Sequence, residues 1–115
     1  MVLNKSDILK AQDLKTESVK VPEWGGEVII RTMTGSERDS YEQRIVRGNQ
    51  KNEYIDIRAT FLSLTIIDDK GERLFDEQDI KALGGKSAAA LDRLFEVAQK
   101  LNGLRNDDIE ELAGN

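Results

Sequence analysis

Residues 86–104, KSAAALDRLFEVAQKLNGL, constrain the fold more than any other stretch, because both ends of one amphipathic helix are written into them. Ser87 is a favoured N-cap, able to accept from one of the first free backbone N–H groups. The three alanines after it are the strongest helix formers. Leu91, Leu94, Phe95, Ala98 and Leu101 then return at the spacings of a single helical face, which Ala90 and Val97 widen. Arg93, Glu96, Gln99 and Lys100 read as lying mostly away from that face, with Glu96 and Lys100 in the favourable i,i+4 order. Gly103 suits the left-handed position after the last turn, and Leu104 can fold back as its apolar contact. The stretch reads as a packing helix, with Leu91, Leu94, Phe95 and Leu101 facing the chain's own core. It holds no active-site chemistry.

What the helix packs against must come from a modest supply. At 115 residues the chain is the size of one ordinary domain, so 1–115 is read as a single unit with one core. Its 17 basic and 22 acidic residues give a net charge of −5 and no basic cluster, so no nucleic-acid partner is expected. No apolar run approaches the length that spans a bilayer, and MVLNKSDILK lacks the apolar centre of a signal peptide. Cysteine and histidine are both absent. That suits an intracellular setting and removes the commonest general base, metal ligand and strong nucleophile. The reading is therefore of a non-enzyme with no catalytic residues, no cofactor and no metal.

Along the chain, residues 1–16 read as a short helix or arm, capped at Ser6 and anchored by Ile8, Leu9 and Leu14. Residues 17–33 read as a β-hairpin: Val19 and Val21 alternate with Lys20, a Pro22-Glu23-Trp24-Gly25-Gly26 turn follows, and β-type residues resume from Val28 to Met33. Trp24 at the tip has two readings, a core residue folded onto the sheet or a partner-binding anchor. Residues 34–103 read as the helical part. Thr34 and Glu37 form a capping box for a helix over about 35–47, closed near Gly48, with Tyr41 and Ile45 as its apolar pair. Residues 48–52 read as a loop.

Residues 53–67, EYIDIRATFLSLTII, alternate like a strand but run too long without Gly or Pro for one. On a helix, Tyr54, Ile57, Phe61 and Leu64 form one stripe and Ile55, Ala59, Leu62 and Ile66 another, as in a central helix packed on two sides. Helix is the preferred reading. Asp68-Asp69-Lys70-Gly71 is a turn without the ligand pattern of a calcium loop. Leu74 and Phe75 form an apolar anchor before Asp76, which caps a short helix ending at Leu83-Gly84. Gly85-Lys86-Ser87 superficially matches the end of a phosphate-binding loop, yet Ile80 stands where that motif needs Gly. Residues 104–115 read as a short acidic C-terminal helix. The fold class expected is α+β, predominantly helical, with an N-terminal β-hairpin followed by a small helical bundle.

The blocks Val21-Pro22-Glu23-Trp24-Gly25-Gly26, Arg31-Thr32-Met33-Thr34-Gly35 and residues 91–104, in this order, resemble the tail assembly chaperones of long-tailed bacteriophages and prophages. The resemblance covers nearly the whole chain and contains no catalytic motif. It implies a factor that binds the tape-measure protein, keeps it soluble and helps bring tail-tube subunits to it. It also implies self-association into spiral or ring-like arrays, work in the host cytoplasm and absence from the mature virion. A structural tail-completion or connector protein is the alternative. The candidate partner-binding residues are Trp24, Tyr54, Ile55, Leu62 and Ile66.

Overall fold

The computed structural model describes residues 1–51 and 56–104. In chain order these form α1 (Lys5–Lys10), β1 (Thr16–Val21), β2 (Gly26–Arg31), α2 (Gly35–Gln50), α3 (Ile57–Thr65), β3 (Ile66–Ile67), α4 (Ile80–Gly84) and α5 (Ala88–Leu101). One-turn 3₁₀ segments precede β2 at Pro22–Trp24 and α4 at Glu77–Asp79. The fold is α+β.

The sheet has three antiparallel strands in the order β1-β2-β3, so the hairpin gains a strand. Val19 pairs with Val28 and Ile30 with Ile66, which brings Val19, Val21, Val28, Ile30 and Ile66 to one face. Against that face lies α5, with α3 packed on α5; Phe61, Leu62, Leu94 and Ala98 of these helices are fully buried together with Val21 and Ile30. α2 closes the other side of α3. Its Tyr41 ring meets Phe61 edge to face at 5.0 Å, and Phe61 in turn meets Phe95 at 5.5 Å. Leu91 and Leu94 face this core, with Phe95 and Leu101 packed at its margin.

α3 is the central helix that its two stripes suggest, since Ala59, Thr60, Phe61, Leu62, Ser63 and Thr65 are all buried. It is shorter than its apolar run. Thr65, Ile66 and Ile67 are β-branched and fit a pleated strand better than a helix. Ile66 and Ile67 therefore leave the helix to pair with β2, and the reading of Ile66 as a helical stripe residue is corrected. Two arginines meet the freed carbonyls at this helix end, Arg73 Nε donating to Ser63 O at 3.0 Å and an Arg31 guanidinium nitrogen to Leu64 O at 3.4 Å. The Asp68 carboxylate then receives the N–H groups of Lys70 and Glu72 at 2.8 and 3.0 Å, turning the chain at left-handed Gly71.

Four other expectations are corrected. α1 is capped by Asn4, in a reciprocal box with Asp7, rather than by Ser6. Ile8 and Leu9 stay exposed and α1 buries no residue, so among the described residues they anchor nothing. α2 continues through Gly48 to Gln50, because Gly48 is buried on the same stripe as Tyr41 and Ile45. Gln99 is buried rather than turned to solvent. By contrast Thr34 with Glu37, Asp76 and Ser87 all cap where the sequence places them. Gly103 is left-handed, its N–H meeting Lys100 O at 3.1 Å while Leu104 N–H meets Gln99 O at 2.8 Å, a Schellman closure of α5. Beyond Leu104 the C-terminal helix reading lies outside the described residues.

Candidate functional site

The tip of the β1–β2 hairpin is a rigid turn. Pro22 fixes its entry, Gly25 at φ 73° closes it, and the intervening residues make one 3₁₀ turn. Glu23 in that turn holds Arg93 of α5 through two parallel hydrogen bonds of 2.7 and 2.9 Å. The paired guanidinium keeps the Glu23 carboxyl below its ordinary value and raises Arg93. Both side chains keep contact with water, so the pair mainly fixes geometry.

Trp24, the next residue in the turn, is 37% exposed. Its ring, with Phe75, Ala82 and Leu83, walls an open notch of about 340 Å³ whose rim carries Asp79 and Lys86. Leu74, 53% exposed, precedes Phe75 in the chain and adds apolar surface. Trp24 is thus neither sealed in the core nor free of it. A largely apolar recess with a charged rim accommodates an apolar side chain presented by another polypeptide segment.

The other candidate residues fall elsewhere. Leu62 and Ile66 are 0% and 1% exposed, so in this conformation they belong to the chain's own core and offer no surface. Tyr54 and Ile55 lie outside the described residues. Phe75, Ala82 and Leu83 complete the notch, and the Glu23–Arg93 pair fixes the turn that carries Trp24; no sequence signal joins these residues to Trp24. Leu74-Phe75 was visible as an apolar anchor, but Glu23 and Arg93 stand 70 positions apart and no local pattern links them.

A second recess, between α2, α3 and the Glu77–Asp79 turn, is polar, with Arg44, Arg47 and Arg73 in its wall. Arg44 is paired with Glu77 at 2.8 Å, and Arg73 is committed to backbone carbonyls. Tyr41 and Thr60 border it as well, yet their hydroxyls are buried and without partners among the described residues. Burial keeps the Tyr41 phenol protonated far above its ordinary range. Among the described residues no group of acidic side chains is arranged to hold a metal ion.

The phage tail assembly chaperone family model matches residues 5–115, nearly the full chain. The chain belongs to the phage tail assembly chaperone family. Its fold is also similar to the solved structure of the bacteriophage HK97 tail assembly chaperone, with a TM-score of 0.59 over 88% of this chain and 92% of that one. The two are 17% identical, so the likeness speaks for the fold. No curated protein matches the chain in sequence.

Proposed function

We propose that this chain binds the tape-measure protein during tail assembly, keeps it soluble and helps recruit tail-tube subunits to it. It acts without catalysis, by non-covalent contacts in the host cytoplasm, as a self-associating protein that leaves before the virion is complete. A tape measure exposes long apolar helical stripes until the tube covers them, and such stripes aggregate. The observation that carries the reading is the Trp24 notch: an apolar recess, next to the turn that Glu23 and Arg93 tie to α5, on a member of a family of assembly chaperones. An amphipathic client helix lays one side chain per turn or two into such a recess, and many copies add up weak contacts along its length.

Co-expression with the tape-measure and tail-tube proteins of the same phage, followed by pull-down, tests the reading. Capture of the tape measure by the wild-type chain, weakened by Trp24→Ala, is expected. Failure to capture it at all, or stoichiometric presence of the chain in purified virions, contradicts the chaperone role, the latter result in favour of a structural tail component.

A further inference from the structure

We propose that the polar recess between α2, α3 and the Glu77–Asp79 turn binds the carboxylate of an acidic side chain presented by another polypeptide. This site is separate from the Trp24 notch and does not rest on the client reading. The two recesses share one stretch of chain: Asp79, Ala82 and Leu83 line the notch, whereas Asp76, Glu77 and Ile80 line this one.

The recess follows from how α2 and α3 divide their residues. On α2, Tyr41, Ile45 and Gly48 form the buried stripe. Ser40, Gln43, Arg44 and Arg47 recur beside it at i, i+3, i+4 and i+7, a polar stripe that lines the recess. Thr60, Ser63 and Leu64 of α3 form the opposite wall, which Arg73 completes. The volume, about 330 Å³, is ample for one side chain.

Charge selects the ligand. Three arginines line the recess against two carboxylates, which leaves one positive charge there in a chain of net charge −5. Arg44 meets Glu77 at 2.8 Å, but Glu77 is 80% exposed, so water and salt weaken the pair. Asp76 accepts from Gln78 N–H at 2.9 Å. Arg73 donates to the carbonyls of Ser63 and Phe75. Neither Arg73 nor Arg47 has a carboxylate partner among the described residues. A single positive charge suits a monoanion. A phosphate ester, with a charge of about −1.5 to −2, would be left with excess negative charge beside Asp76 and Glu77. The guanidinium fork also matches the planar carboxylate.

The hydroxyls of the wall point to the same chemistry. Tyr41 and Thr60 are 1% and 3% exposed, and their hydroxyls have no partner among the described residues. Unpartnered buried hydroxyls are uncommon in folded proteins, and both of these belong to residues lining one recess. Both are closed to water, so an acceptor reaches them through a small shift of the exposed Ser40, Gln43 or Arg47 side chains. An ionised carboxylate only accepts hydrogen bonds, and so complements a wall whose spare groups are donors. Leu64 and Ile80 in that wall can cover the methylenes of a glutamate.

Titration of the nitrogen-labelled full chain with glutamate blocked as its N-acetyl α-amide, followed by NMR at constant ionic strength, tests this. Saturable shifts at the Tyr41, Arg47 and Thr60 amides are expected. Arg47→Gln, at an exposed position, and Tyr41→Phe, which keeps the packed ring, should each weaken binding about tenfold. Blocked glutamine should not bind, and blocked phosphoserine and free acetate should bind more weakly than blocked glutamate. Shifts that grow without saturating, or binding that either variant leaves unchanged, overturn the inference. So does glutamine, phosphoserine or acetate binding as tightly as glutamate: the first removes the need for charge, the second the preference for a monoanion, the third the side chain.

Discussion

Tyr41 and Phe61 touch each other in the core, yet their side chains matter in opposite ways. The Tyr41 hydroxyl is buried without a partner among the described residues, so it is a loss that folding tolerates for the sake of the ring. Tyr41→Phe is expected to leave the melting midpoint unchanged or raise it, by up to about 1 kcal/mol of stability. Phe61→Ala removes the ring that both Tyr41 and Phe95 pack on and should cost about 3–5 kcal/mol by chemical denaturation. Gly84 is tight for a different reason: a Cβ there runs into the Asp56 carboxylate, which caps α3 through Ala59 N–H. Gly84→Ala should therefore destabilise by about 1–2 kcal/mol, the worth of a displaced N-cap, in the same measurement. Caps were the most legible residues, because Thr34, Asp76 and Ser87 act within three positions of themselves. Asn102 was legible as the close of α5, but not as the side chain that accepts the Met33 N–H at 2.8 Å from across the fold.

At the scale of elements, the hairpin turn and α5 are coupled through Glu23 and Arg93. The folded-state pKa of Glu23 is depressed, so its contribution is present above the ordinary carboxylate value of 4.5 and is lost as pH falls through the lower folded value. Acidification is expected to loosen the turn from α5 before the core unfolds, and Trp24, the chain's only tryptophan, reports it as a change in emission. Glu23→Gln should abolish that early step while leaving the later unfolding transition in place. α2, α5 and the first two strands were readable from periodicity, since each buries one side. The third strand was not. Ile66 and Ile67 continue the apolar run of α3, and only β2, which supplies their ladder partners, turns them into a strand. Gly48 misled for a related reason, because a glycine on the buried stripe of a helix looks in sequence like its end.

Across the whole molecule, the chain divides its apolar residues between a buried core and two exposed pieces, the N-terminal arm and the Trp24 notch. The sequence pointed to Trp24 but also to Leu62 and Ile66, since a hydrophobic stripe does not say which of its sides a neighbouring helix will cover. The central claim is that client protein enters the notch beside Trp24. Because no other tryptophan is present, titrating the chain with a tryptophan-free apolar helical segment of the tape-measure protein reads the notch directly. Saturable, blue-shifted Trp24 emission that Ala82→Arg abolishes is the expected result. Binding that leaves Trp24 emission unchanged, or that Ala82→Arg does not weaken, would contradict the account.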